Sequence, residues 1–317
     1  MNAPYIGRLA PSPTGLLHVG NAFAFLIAWL DARKNKGKLI LRMEDIDPDR
    51  AKDHFAQQIR EDLKWLGLNW DEEVIPQSER QKDYDKAIQK LAKRGYVYPC
   101  FCSRKELRSL AGAPHIGDSG APYAGTCRRL TENERKNLDA QGKKSCLRLD
   151  CSEKENTPFQ FKDHIQGNVS SSLKECGNDF AIKRSDGVIA YQLAVVLDDI
   201  KSGITHVIRG RDILQSTPRQ LYIYELLKEK PPVYAHVPLI VDEKGERLAK
   251  RHGTMALNTL RKIGVLPEEI WGVVAKAAGL RKTDTPVKAI DLIEDFEISK
   301  LNHKDFCLTD FPRNQKS

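Results

Sequence analysis

Arg8–Asn21 reads RLAPSPTGLLHVGN and lies between an apolar start, Tyr5–Leu9, and the apolar segment Ala22–Leu30. Pro11, Pro13 and Gly15 break any regular element before His18. After His18 the apolar spacing turns helical, so His18 and Gly20 stand at the entry to a helix. A helix start beside a glycine offers free backbone N–H groups and the positive end of a dipole, a seat for phosphate. Alone, such a stretch is more often an ordinary loop-to-helix junction. Working outward, Lys38–Met43 (KLILRM) reads as a buried strand running straight into Glu44-Asp45-Ile46-Asp47-Pro48. Strand, helix and strand predict a parallel α/β unit, in which functional groups gather at the carboxyl ends of strands. Arg8, His18 and Glu44 all fall at that edge.

The 317 residues can bury one large core or two modest ones, which fits a main domain with an insertion. Hydrophobic content of 40% and charged content of 30% belong to a globular chain rather than a disordered one. A formal charge of +8 suits a polyanionic partner without requiring one. Ala22–Leu30 is too short to span a bilayer, and Met1–Pro4 has no signal-peptide pattern, so no membrane role and a cytoplasmic location are expected. Seven cysteines without a regular framework point to reduced thiols, some available to metal. No long exposed apolar helix demands a partner, and a monomer is expected.

Farther along, Asp53–Leu66 and Asp83–Arg94 read as amphipathic helices. The character changes over Tyr96–Leu130, where Gly and Pro crowd together, as in an inserted loop-rich module. Thr131–Leu138 reads as a short helix, and Cys146–Gly177 as irregular with two or three short strands. The α/β pattern resumes at Asp179, with strands expected at Phe180–Lys183, Ile189–Leu197, His206–Ile208 and Val237–Val241. Thr217–Glu229 reads as a helix with Pro218 in its first turn, and the chain reads as helical from Leu257 onward. This divides it into 1–98, 99–178, 179–256 and 257–317: two halves of a catalytic α/β domain, the insertion between them, and a helical end.

Cys100 and Cys102, two apart, can grip one zinc with Cys127 as third ligand. For the fourth, His115 is favoured by frequency and Tyr123 is the other candidate. Cys146, Cys151, Cys176 and Cys307 read as plain small apolar residues, and Tyr222 and Tyr224 as core. Asp198-Asp199, at an expected strand end, reads as structural. The loop Arg247-Leu248-Ala249-Lys250-Arg251-His252-Gly253 is by itself a solvated charge run. Facing the His18 loop, it could instead clamp a triphosphate.

Taken together these segments resemble the class I aminoacyl-tRNA synthetases, and within them the glutamyl branch. RLAPSPTGLLHVGN resembles the branch's opening with its HIGH motif, LRMEDIDPDR its next signature, and RLAKR stands where the KMSKS loop belongs. YQLAVVLDD, THVIRGRD, STPRQ and YAHVPLI follow in the branch's order. Asn21 replaces the last His of HIGH; Arg247 and Ala249 replace the first Lys and the Ser of KMSKS, while Lys250 is kept. The resemblance implies a Rossmann-type parallel-sheet catalytic domain with a zinc-binding insertion and a short helical C-terminal unit. It implies His18 and Lys250 as catalytic residues, and His18, Gly20, Asn21, Arg247 and Lys250 around ATP with Mg²⁺. Arg8, Leu9, Ala10, Pro11, Ser12, Glu44, Tyr191 and Arg209 would bind L-glutamate, and Tyr123 would complete the zinc site.

Charge supports that substrate. Arg8 and Arg209 each offer a planar fork to a carboxylate, Glu44 can take the α-ammonium, and the Tyr191 hydroxyl can bond the side-chain end. A complete enzyme of the branch needs roughly 150 or more further residues of anticodon-binding domain. Short members of the branch activate glutamate without tRNA and place it on queuosine at the wobble position of tRNA(Asp). That reading is expected here. A compact enzyme charging a tRNA 3′ end and a non-catalytic binding paralogue remain open beside it.

Overall fold

The computed structural model describes residues 4–103, 105–107, 123–242, 245 and 255–308. Helix α1, Val19–Lys34, begins where the sequence places it. His18 caps it: its Nδ1 accepts from the Gly20 N–H at 3.1 Å, while Asn21 Oδ1 accepts from the His18 N–H at 3.2 Å. This reciprocal cap satisfies two donors that a helix start otherwise leaves open. Phe23, Leu26, Ile27, Trp29 and Leu30 on this helix are buried in the largest apolar cluster, each contributing about 1.5–3 kcal/mol. The helix ends at Asn35, and Gly37 turns the chain against the Tyr5 ring, where a Cβ would come within 2.4 Å of it.

Strands β1 (Ile6–Leu9), β2 (Lys38–Leu41) and β3 (Glu72–Glu73) pair in parallel in that order. A second sheet runs β7 (Gly167–Ser172), β6 (Pro158–Asp163), β10 (Val233–Val237), β9 (His206–Gly210). In it β10 is parallel to β9 and β6, and β6–β7 is an antiparallel hairpin. The two sheets meet where β1 lies beside β9. Thr205 N–H donates to the Ile6 carbonyl at 2.9 Å, and Ile6 N–H to Thr205 Oγ1 at 2.8 Å. From β1 the chain winds away on one side, and it returns at β9 on the other. That reversal opens a crevice at the carboxyl ends of the strands.

A third sheet is antiparallel, β4 (Val97–Cys100), β5 (Cys146–Leu149) and β8 (Phe180–Lys183). Helices α2 (Asp53–Trp65), α3 (Gln81–Lys93), α4 (Glu132–Ala140), α5 (Tyr191–Lys201), α6 (Thr217–Leu227), α7 (Leu257–Lys262) and α8 (Pro267–Ala277) complete the main elements. Trp271 of α8 is fully buried, and its Nε1 donates to the Leu66 carbonyl at 2.9 Å. The C-terminal helices therefore share one core with α1 and α2.

Three expectations are corrected. Ile189–Leu197 is not a strand: α5 begins at Tyr191, because a helix buried on nearly every side carries the same unbroken apolar run as a buried strand. Asp198 and Asp199 accordingly lie within a helix, not at a strand end. The strand expected at Val237–Val241 is split, since Pro238, which has no N–H, separates β10 from β11 (Ile240–Val241). Finally, residues 257–308, expected to be helical, are only partly so. After α8 come two short 3₁₀ turns and β12 (Phe306–Cys307), parallel to β11.

Candidate active site

A cavity of about 730 Å³ opens at the carboxyl ends of β1, β9 and β10. Arg8, Ala10, Pro11, Ser12, His18, Gly20, Asn21, Glu44, Tyr191 and Arg209 all line it. Leu9 does not. Alternation along β1 turns its side chain into the core, fully buried, and its carbonyl accepts from the Arg42 N–H at 2.9 Å. Arg247 and Lys250 lie outside the described residues, as does His115. The segment that follows their loop returns to His18, for Ala256 bridges His18 and Leu257 N–H donates to the Leu17 carbonyl at 2.9 Å.

Arg209 is the best-held group in the cavity. Its Nε donates to His236 Nε2 at 2.9 Å, Nη1 to Gln220 Oε1 at 2.8 Å and Nη2 to Thr217 Oγ1 at 2.9 Å. A guanidinium carries five N–H donors, so two remain, one on each terminal nitrogen. That pair matches a carboxylate. Because arginine can only donate, His236 must accept at Nε2 and carry its proton on Nδ1, 2.6 Å from Asp163 Oδ2. Burial pushes the His236 pKa down to about 4, against the pull of Asp163, and Arg209 lowers it further. The imidazole is thus neutral at pH 7, as the hydrogen-bond pattern requires. Beyond it, Gln220 Nε2 donates to Gln192 Oε1 at 2.9 Å and Gln192 Nε2 to Ser216 Oγ at 2.8 Å. Sequence reasoning missed His236, Asp163, Gln192 and Gln220; the period-2 alternation of YAHV, with a polar residue at a buried position, was the available signal.

On the other wall Arg8 Nη1 donates to the Ile208 carbonyl at 3.1 Å. Its Nε makes no hydrogen bond but is ion-paired with Asp199 Oδ1 at 3.7 Å. Glu44 is fixed through its backbone, whose N–H donates to the Pro11 carbonyl at 2.9 Å. Its carboxylate accepts from Arg42 Nη2 at 3.1 Å. Burial raises the Glu44 pKa, with the Arg42 and Arg8 guanidinium groups opposing the rise. Arg42, fully buried behind the cavity, also bonds Asp199 at 2.7 Å. Asp198 accepts from Gln77 at 2.6 Å, from the Tyr84 hydroxyl at 2.8 Å and from Arg80. The acidic pair is thus internal scaffolding. The Tyr191 hydroxyl bonds no described residue, and burial raises its pKa. His18 caps α1 through Nδ1, and Asn21 shares in that cap with its amide oxygen.

The cysteines converge as well. The sulfurs of Cys100, Cys102 and Cys127 all lie within 4.8 Å of one another, with Cys102 and Cys127 3.5 Å apart. Tetrahedral zinc thiolates would place sulfurs about 3.8 Å apart, so the set fits a metal. The buried Tyr123 hydroxyl accepts from the Cys127 N–H at 2.7 Å and also meets Cys100. Cys146, read as a plain small apolar residue, packs against the apolar cluster around these cysteines. It lies opposite Cys100 across β4–β5. The neighbouring Cys146 thiol is the main reason the Cys100 thiol is held down to about 4. Burial and the neighbouring Cys127 and Cys100 push Cys102 up to about 12. Crowded thiols resist losing several protons together unless a cation joins them. Tyr222 and Tyr224 are buried, as expected of core, and no described helix is long and apolar enough to cross a membrane.

Known proteins share this arrangement. Residues 6–306 match the sequence profile described as tRNA synthetases class I (E and Q), catalytic domain. A protein of Nitratidesulfovibrio vulgaris named glutamyl-Q tRNA(Asp) synthetase is 52% identical over 282 residues, 86% of each chain. One of the same name from Symbiobacterium thermophilum is 44% identical over 304 residues, 93% of each chain. The crystal structure of a glutamate tRNA ligase from Elizabethkingia meningosepticum in complex with its amino acid superposes with a TM-score of 0.82 at 27% identity. That match covers 97% of this chain and 67% of the other. The crevice between β1 and β9, the capped helix behind it and these likenesses agree: the chain belongs to the glutamyl and glutaminyl branch of the class I tRNA synthetases, a family of ligase-type enzymes.

Proposed function

We propose that the protein activates L-glutamate with ATP, without needing tRNA, and transfers it to queuosine at the wobble position of tRNA(Asp). The Arg209 clamp carries the first half of this reading. Its two remaining N–H groups and the Arg8 fork answer the two carboxylates of glutamate, Glu44 answers the ammonium, and the Tyr191 hydroxyl supports the side-chain end. Glutamine would leave one guanidinium facing an amide, a loss of a few kcal/mol in a buried site. The second half is supported by the two relatives named for that activity, which align with nearly their whole length.

In the first step the α-carboxylate attacks the α-phosphorus of ATP in line and pyrophosphate leaves. His18 and Lys250 spread the developing charge, Gly20, Asn21 and Arg247 help hold the nucleotide, and Mg²⁺ accompanies the phosphates. In the second, a hydroxyl of the queuosine cyclopentenediol attacks the glutamyl-adenylate and AMP leaves. Cys100, Cys102, Tyr123 and Cys127 would hold one structural zinc in the inserted region.

Two assays test this. Glutamate-dependent ATP–pyrophosphate exchange should proceed without tRNA. Labelled glutamate should pass to tRNA carrying queuosine and not to tRNA lacking it. Charging of a 3′ end irrespective of queuosine would refute the acceptor, and absence of exchange would refute the enzyme.

A further inference from the structure

The cavity extends past Ser216 to a wall that neither glutamate nor ATP engages in the scheme above. Arg219, in the first turn of α6, stands there. It is only 3% exposed, yet no hydrogen bond or ion pair joins it to any described residue. Its guanidinium rests over the Phe180 ring, 5.6 Å from the centroid, and both residues line the cavity. Arg148 lines the same wall. One of its nitrogens donates to the Asp179 carbonyl at 2.8 Å, while its Nε, too, has no partner. The carboxylate nearby cannot serve either arginine, because Asp179 is taken by Arg128 at 2.9 Å, by the Cys151 N–H at 2.8 Å and by the Tyr98 hydroxyl. Burial and the charge of Arg148 both lower the Arg219 pKa, the direction expected of a cation without a counter-ion.

A buried guanidinium with no anion is costly to hold in the resting protein. An incoming anion would offset that cost. The substrates offer three sources. The carboxylates of glutamate are matched at Arg8 and Arg209. The triphosphate is matched in that scheme at His18 and Gly20, which line the cavity at the start of α1. Arg219 instead stands against Phe180 of β8, an edge strand of the antiparallel sheet. What remains is the backbone of the RNA.

We propose that Arg219, with Arg148 beside it, is a seat for a phosphodiester of the acceptor RNA, fixing the strand so that its reacting nucleoside reaches the adenylate. The seat rests on the reading of the protein as an RNA-directed glutamyl transferase. An arginine fork suits a phosphate in two-point contact, and such contacts position the strand without reading its bases.

The test is Arg219→Met, with Arg219→Lys beside it, in the full chain. Pyrophosphate exchange without RNA should keep its KM for glutamate and for ATP within about twofold. Binding of unfractionated bacterial tRNA, measured by filter retention, should weaken at least tenfold at low salt. The slope of log affinity against log salt should shrink by about 0.7–0.9, the loss of one phosphate contact. Arg219→Lys should keep that slope and lose affinity several-fold, since a point charge replaces the fork. Unchanged RNA affinity and slope in Arg219→Met would overturn the proposal, and so would a KM for ATP or glutamate raised as much as RNA binding falls. If Arg219→Met loses exchange through misfolding, Arg219→Lys decides: RNA affinity equal to wild type would overturn the seat. The comparison requires only an RNA that the wild type binds, whereas the queuosine assay asks which nucleoside accepts glutamate. Either can therefore fail alone.

Discussion

Arg209→Lys isolates the clamp. A lysine ammonium has three donors on one atom, too few and too concentrated to reach His236 Nε2, Gln220 Oε1, Thr217 Oγ1 and a carboxylate together. A hydrogen bond to a charged group contributes about 1.5–3 kcal/mol. Replacing two-point carboxylate contact by a single, poorly placed one should therefore cost about 3 kcal/mol. The KM for glutamate in pyrophosphate exchange should rise on the order of 100-fold, with the KM for ATP little changed. The acceptors left behind are buried, and each stranded one costs a further ~1–3 kcal/mol of stability, so the melting temperature should also fall. Exchange must be measured well below that transition. A KM for glutamate within threefold of wild type in a folded variant would refute the clamp.

Other outcomes follow from the same geometry. His236 has a folded-state pKa lowered from 6.5 to about 4, so the unfolded chain binds the extra proton first. Its contribution, about 3 kcal/mol, is present above pH 6.5 and lost as pH falls toward 4. Urea midpoints of wild type and His236→Phe should accordingly converge over that window, and a constant difference would contradict the assignment. Gly20→Ala would set a methyl 3.0 Å from the His18 ring; turnover in exchange should fall at least tenfold while the circular dichroism spectrum is retained, and full activity would remove His18 from the site. One zinc per chain should be found in reduced protein. Cys102→Ser should bind it more weakly, as colorimetric metal release would show; zinc-free wild type would eliminate the metal site.

The parallel sheet, the capped α1 and the convergence of Arg8, His18 and Glu44 were legible because each rests on local signals: prolines before a helix start, an unbroken apolar strand, acids directly after it. α5 was not legible as a helix, since Tyr191–Lys201 is apolar nearly all round and buried strands look the same. The Asp163–His236–Arg209 chain was hidden for a different reason. It joins the β6–β7 hairpin to β10 and β9, and only tertiary pairing brings Asp163 opposite Tyr234. Leu9, read with the Arg8–Ser12 stretch, has its side chain turned into the core because a strand points alternate residues to opposite faces.

The bridge between His18 and Ala256 carries a mechanical consequence. The residue that caps α1 and the segment that follows the Lys250 loop share one backbone tether, and Leu257 then leads into helices locked onto the core by Trp271. Ala256 and Leu257 are thus held against the start of α1. A pull on the folded tail is therefore felt at the cap of α1 and at His18.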